Sequence, residues 1–303
     1  MRVAISTSSF AQYGREPLDL LERAGADFIL NPHGRKLTPD EVVELAAGCD
    51  GLVAGTEPLD RSVLSRLPNL KVLSRCGVGM DNVDLEAAEE LGVLVRNTPL
   101  GPTRAVAELI VGLAMDLLRQ VTRMDRELRA GVWKKRMGNL LQGKRVGIIG
   151  MGRIGVAVAE LLTPFDVEIG YADPVSTVPG YTKMGMEELL PWADIVSLHC
   201  SRTGMDCALL DRQRLVSMKP GSWLINAGRG GLVDEEALYD LLSAGHLAGA
   251  AVDCFCEEPY QGRLRELDSV ILTPHIGSYA REGRVRMEAD AVSNLLEALE
   301  KTK

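Results

Sequence analysis

Three segments of this chain place charged or ionisable side chains directly behind apolar, β-branched runs. WLINAGRGGLVDEEAL carries Arg229, GAAVDCFCEEP carries Asp253 and Glu258, and VILTPHIGS carries His275. A guanidinium holds oxygen anions with a planar fork of N–H donors. An imidazole gives and takes a proton near neutral pH, and a carboxylate beside it selects its tautomer. Together these are the parts of a proton-transfer site for a small anionic substrate. Taken singly, each has a plainer reading. Arg229 reads equally well as an exposed loop residue, Glu258 as a surface or helix-capping acid, and His275 as a histidine behind a Thr-Pro pair. His33 and His246 sit in no such setting and read as surface or structural histidines.

A fourth segment, VGIIGMGRIG over residues 146–155, runs an apolar strand into Gly150-x-Gly152-x-x-Gly155. Gly150 suits a tight turn and Gly152 a close approach of backbone to a pyrophosphate. Gly155 lets strand and helix pack, and the helix N-terminus supplies amides and a positive dipole end. A glycine-rich turn is the plainer reading. Its context argues for a dinucleotide: a helical pattern follows over Arg153–Leu162, and Asp173 stands 18 residues after Gly155 at the end of the next strand. An acid there accepts from a ribose 2′-hydroxyl and repels a 2′-phosphate. No arginine follows in YADPVSTV, so NAD is expected rather than NADP.

Such residues need strands that end at one edge. Short apolar runs alternate with helical stretches along the whole chain, the pattern of α/β units around parallel sheets. The first series of strands is Val3–Ser6, Phe28–Leu30, Leu52–Ala54, Val72–Ser74 and Val93–Val95. Helical patterns lie at Pro17–Ala24, Pro39–Ala47 and Leu85–Leu91, with Thr38-Pro39 as an N-cap followed by Pro. NTPLGPT, residues 97–103, reads as a linker. One long helix is expected from about Arg104 to Arg129, since Val106, Leu109, Ile110, Leu113, Leu117 and Leu118 fall at helical spacing. A second series follows at Val146–Ile149, Glu168–Ala172, Ile195–Leu198, Trp223–Asn226, Gly249–Val252 and Val270–Leu272, then a helix at Arg281–Leu299. The expected fold is α/β: two doubly wound parallel-sheet (Rossmann-like) domains with a cleft between them. Residues 1–98 and 276–303 would form the substrate domain and 99–275 the NAD domain. The two crossings make a hinge, whose closure excludes water.

The composition narrows the class. The 303 residues carry a net charge of −8 and only 4% aromatics. Neither attraction to a polyphosphate backbone nor a stacking platform is expected, so nucleic acid is excluded as a partner. The N-terminal MRVAISTSSF has no signal-like apolar core, and no apolar run approaches membrane-spanning length. The six cysteines form no CxxC pair and no metal-ligand spacing. A cytoplasmic protein with reduced thiols and no metal is expected.

NAGRGGLVDEEAL, VDCFCEEP, TPHIG, SRCGVGMDNVDLEAAEELGV and NTPLGPTRAVAEL together resemble segments of the D-isomer-specific 2-hydroxyacid dehydrogenases, in the family's order and over essentially the whole chain. The resemblance implies that Arg229 holds the substrate carboxylate and polarises the 2-keto oxygen. It implies that His275 protonates that oxygen during reduction, that Glu258 bonds the other imidazole nitrogen, and that NAD carries the hydride. It places Arg153 and Ile154 at the pyrophosphate, Thr98 and Asp253 beside the nicotinamide half, and Ala227 and Gly228 on the nicotinamide ribose side. His199 and Cys200 belong to a cofactor loop that reads HCSRT, with Ser201 where the family usually has Pro. Arg75, Gly77, Val78 and Gly79 resemble the substrate loop, whose backbone amides would face the carboxylate. Arg75 is a candidate for a substrate phosphate, or merely caps its own strand. A homodimer built through the NAD domains is implied as well.

The first expectation is oxidation of 3-phosphoglycerate with NAD, followed by reduction of hydroxypyruvate or glyoxylate. A binding protein that senses NAD on the same fold is the competitor, and intact Arg229, Glu258 and His275 favour the enzyme. Only 28 residues follow His275, so an added effector domain is not expected.

Overall fold

A computed structural model describes residues 1–201 and 207–301. The chain divides into two compact units, Met1–Ala105 with the residues from Ser278 onward, and Val106–Gly277.

The first unit holds five parallel strands, β1 (Arg2–Ile5), β2 (Asp27–Leu30), β3 (Gly51–Ala54), β4 (Val72–Arg75) and β5 (Leu94–Asn97), in the order β2-β1-β3-β4-β5. Alternate residues leave a strand on opposite faces, and helices cover both. Ala4, Leu52, Ala54 and Leu73 pack into one core layer. Val3, Ile5, Val53 and Val72 pack into the other, against Met287, Ala291, Val292 and Leu295 of the helix Arg281–Lys301. Side-chain caps start several of the helices. Thr38 and Glu41 form a reciprocal capping box at Pro39–Ala46, and Asp84 accepts from the Ala87 amide at 2.8 Å to open Leu85–Glu90.

The second unit holds β6 (Arg145–Ile149), β7 (Glu168–Ala172), β8 (Thr182–Lys183), β9 (Ile195–Leu198), β10 (Trp223–Asn226), β11 (Gly249–Val252) and β12 (Val270–Leu272). All are parallel, in the order β12-β11-β10-β9-β6-β7-β8. The order reverses between β6 and β9. In open α/β sheets a ligand binds outside the carboxyl ends of the strands at that reversal.

The expected linker over residues 97–103 is already helical from Gly101, and two further elements differ from the sequence expectation. The long helix is two, Gly101–Arg119 and Val121–Arg129, broken at Gln120 with φ 52°. Asp116 accepts from the Thr122 amide at 2.8 Å and from its hydroxyl, which opens the second helix. The Asn139 amide meets the Leu118 carbonyl at 2.8 Å near the end of the first. These polar contacts leave no trace in apolar spacing. β8 is an added edge strand of two residues paired to β7, too short for any periodicity. The helix Gly101–Arg119 begins in the first unit and continues in the second. Its opening packs tightly: a Cβ on Gly101 would stand 2.8 Å from that of Met287.

Candidate active site

The loops after β10, β11 and β12 bring Arg229, Glu258 and His275 to neighbouring strand ends in the second unit. His275 Nδ1 stands 3.0 Å from each oxygen of Glu258, with both side chains part-exposed. Glu258 Oε1 also accepts from the Phe255 amide at 3.1 Å, which orients the carboxylate. Asn226 braces the Arg229 loop: its side-chain amide donates to the Arg229 carbonyl at 3.1 Å, and its oxygen accepts from the Gly228 amide at 3.2 Å. One guanidinium nitrogen of Arg229 donates to the Gly228 carbonyl at 2.8 Å. A Cβ on Gly230 would fall 1.8 Å from the Phe255 carbonyl oxygen. Glycine at 230 therefore lets the arginine loop lie directly on the loop that carries Glu258.

His275 occupies left-handed backbone, φ 54°, an uncommon state for a side chain of this size. Asp253 sustains it. One oxygen accepts from the Thr273 hydroxyl at 2.6 Å and the Ile276 amide at 2.8 Å, and the other from the Gly277 amide at 2.8 Å. Asp253 has no exposed surface. The Asp253 carboxylate thereby braces the turn that carries His275. Sequence reasoning missed Asn226 and Thr273 altogether, although each is a polar residue at the end of an apolar strand.

The glycine fingerprint lies at the end of β6. Gly150 takes φ 94°, and a Cβ there would meet the Cys200 amide nitrogen at 2.6 Å, so β6 and β9 approach at the reversal as backbone only. A Cβ on Gly155 would fall 2.3 Å from the Gly150 carbonyl oxygen. Gly152 faces open space and stands at the N-cap of Arg153–Leu162 without a capping side chain. The helix's first amides therefore remain available to an anion, with Arg153 and Ile154 in its first turn.

At the end of β7, burial works to raise the pKa of Asp173. Amide hydrogen bonds from Ser176, Val175 and Met151 outweigh it and hold the carboxyl below the usual range. A carboxylate has about four acceptor positions, so a ribose hydroxyl still finds a lone pair there. Ala227 and Gly228 lie at the end of β10, and His199 and Cys200 at that of β9. His199 is part-buried with its Nδ1 shut from solvent: Nε2 meets the buried Ser197 hydroxyl at 2.9 Å, and burial drives the ring's pKa down to about 3. Burial also raises the Cys200 thiol. Beyond Ser201, Arg202 and Thr203 of the HCSRT stretch lie outside the described residues. The open glycine turn, the uncapped helix start and the oriented Asp173 fit a dinucleotide. Among the described residues no three His, Cys, Asp or Glu side chains come together to hold a metal ion.

Arg75, Gly77, Val78 and Gly79 follow β4 in the first unit, and Thr98 follows β5. The Arg75 guanidinium lies across Gly77 and donates to the Cys76 carbonyl. Thr98 is fully buried and accepts from the Gly77 amide at 2.7 Å.

Residues 111–277 match the NAD binding domain of the D-isomer specific 2-hydroxyacid dehydrogenases. The chain belongs to that family. These dehydrogenases are NAD-dependent oxidoreductases acting on CH–OH groups, and NAD is the cofactor of the second unit. The chain is 41% identical over 258 residues to a glyoxylate reductase of Thermofilum pendens, covering 80% of this chain and 76% of that protein. It is 38% identical over 272 residues to a D-3-phosphoglycerate dehydrogenase of Mycobacterium leprae, covering 86% of this chain and 52% of that protein. The chain thus spans about half the length of the phosphoglycerate dehydrogenases it matches. A solved structure from Thermus thermophilus has a TM-score of 0.92 and 39% identity, covering 99% of this chain and 97% of that one.

Proposed function

We propose that this chain interconverts a D-2-hydroxy acid and its 2-keto acid with NAD(H). The observation that carries the reading is the His275–Glu258 pair on strand ends next to the Arg229 loop. A carboxylate only accepts hydrogen bonds, so Glu258 keeps a proton on Nδ1 and leaves Nε2 to work on the substrate. In reduction the protonated ring gives its Nε2 proton to the carbonyl oxygen; in oxidation the neutral ring takes the hydroxyl proton. Arg229 holds the carboxylate and draws charge onto the keto oxygen. NAD, when bound, supplies or receives the hydride. The Gly77–Gly79 loop contributes amide donors to the substrate carboxylate.

For the substrate, 3-phosphoglycerate is the first reading, supported by relatives of that activity; Arg75 is the candidate phosphate partner. Glyoxylate or hydroxypyruvate reduction is the second, favoured by a glyoxylate reductase relative of which the chain covers 76%. Ranking kcat/KM with NADH for phosphohydroxypyruvate, hydroxypyruvate and glyoxylate decides. A preference for phosphohydroxypyruvate that Arg75→Ala abolishes supports the first; equal use of the unphosphorylated acids sinks it.

We further infer a cytoplasmic homodimer formed through the second unit. The helix Val121–Arg129 buries none of its residues, and Val121, Leu128, Trp133, Met137 and Leu140 are exposed along it and the segment that follows. Exposed large apolar side chains gathered in one stretch of sequence suit an interface. Sedimentation should give a dimer that Trp133→Glu weakens; a monomer throughout contradicts the assignment.

A further inference from the structure

We propose that Thr98, with Asn97, is a positioning residue of the substrate loop, aiming the amides of Val78 and Gly79 at the substrate carboxylate. The inference rests on the reading of Gly77–Gly79 as the carboxylate loop. Both residues follow from the end of β5, beside β4 in the sheet.

The Thr98 hydroxyl accepts from the Gly77 amide at 2.7 Å, and the Thr98 amide donates back to the Gly77 carbonyl at 3.0 Å. The side-chain amide of Asn97 donates to the Val78 carbonyl at 2.8 Å, and Asn294 fixes the Asn97 carbonyl at 3.0 Å. Two consecutive loop carbonyls are therefore held by the end of one strand. In a planar trans peptide the N–H points opposite to the carbonyl of the same unit. Tying the Gly77 carbonyl to β5 turns the Val78 N–H away from β5, and tying the Val78 carbonyl does the same to the Gly79 N–H. Two adjacent donors then face one side, on residues that are only part-buried.

Nothing local to Gly77 would choose this arrangement. Its φ is 147°, and a Cβ would land on the Arg75 guanidinium. Glycine is permissive there but has no preference of its own, so the contacts from Asn97 and Thr98 set the conformation. Thr98 is fully buried, which separates this role from direct contact with the cofactor.

The test uses the full chain with Thr98→Val, which keeps shape and loses the acceptor, and Thr98→Ser, which restores it. Three quantities are read: hydrogen exchange of the loop amides, NADH affinity, and steady-state kinetics with the best keto acid. Thr98→Val should speed exchange at Gly77 and raise KM about tenfold, leaving kcat and the NADH Kd within about twofold, the scale of one hydrogen bond. Thr98→Ser should return KM to the parent value, which a general loss of folding would not allow. Unchanged exchange in Thr98→Val overturns the clamp itself. Faster exchange with unchanged KM shows that the clamp exists but the loop does not hold the carboxylate, and overturns the proposal with the reading beneath it. A weakened NADH Kd with unchanged KM assigns Thr98 to the cofactor instead.

Discussion

Glu258 meets the Nδ1 atom of His275 with both carboxylate oxygens, each at 3.0 Å. The same carboxylate is oriented by the Phe255 amide of its own loop, so the ring inherits its orientation from backbone. In the proposed mechanism the opposite nitrogen is the one that transfers the proton. Glu258→Gln keeps the shape but replaces one of the two accepting oxygens at Nδ1 with a donor. Its kcat/KM for keto-acid reduction should fall, though by less than in His275→Ala; kinetics indistinguishable from the parent would remove Glu258 from the mechanism.

Asp253 acts one step further back. Three hydrogen bonds to Thr273, Ile276 and Gly277 fix the turn on which His275 sits. Asp253→Asn puts an N–H group among donors. A misplaced acid–base group costs up to about 10²-fold in rate, so kcat should drop by at least about tenfold with the NADH Kd retained. A Kd that weakens in step with kcat would return Asp253 to the cofactor.

In the proposed mechanism Arg229 holds the substrate through a planar fork, which lysine lacks. Arg229→Lys keeps the charge, yet kcat/KM for the keto acid should fall steeply. Steady-state kinetics of the parent type in that variant would show that Arg229 does not hold the substrate.

Asp173 is the residue proposed to set cofactor choice, and its lowered carboxyl bears on acid stability. Losing a charged hydrogen bond costs roughly 1.5–3 kcal/mol, so Asp173→Ala should weaken NAD by about that much and narrow its lead over NADP. Because the folded carboxyl sits below its ordinary value, its stabilising effect is complete above the unfolded pKa and is lost as pH falls through the folded one. Asp173→Asn should therefore show a flatter acid limb of stability against pH, read by denaturant titration. Equal acid limbs would contradict the assigned hydrogen bonding.

The thiols should divide by burial. Burial pushes Cys76 and Cys254 up to about 12, whereas Cys207 and Cys256 are exposed. The thiolate is the reactive form. Iodoacetamide on the native protein, followed by peptide mass spectrometry, should mark Cys207 and Cys256 and spare Cys76 and Cys254. Early labelling of Cys254 would mean that the loop behind Asp253 opens.

The helix at Arg153–Leu162 and all six strands read in the second half stand at the expected places, because apolar runs bounded by polar loops are a local signal. Gly155 answers a local steric demand from the Gly150 carbonyl, whereas the demand on Gly150 comes from Cys200 on the neighbouring strand end. What spacing did not show depends on partners distant in sequence. The break at Gln120 needs Asp116 to meet Thr122 and Asn139 to meet Leu118. The hydrogen bonds of Asp253 need a turn 20 residues away. A polar residue behind a strand marks a site, but whether it faces ligand or braces backbone is decided by tertiary hydrogen bonds.

The most direct test is NADH consumption with 2-keto acids by the parent and by His275→Ala, with NADH binding measured on both. The pH is varied in both reaction directions. The account predicts turnover by the parent that falls with rising pH in reduction and rises in oxidation. It predicts a loss of at least about 10²-fold in His275→Ala, the scale of general acid catalysis, at unchanged NADH affinity. NADH binding without turnover of any keto acid, or near-parent turnover by His275→Ala, would contradict it.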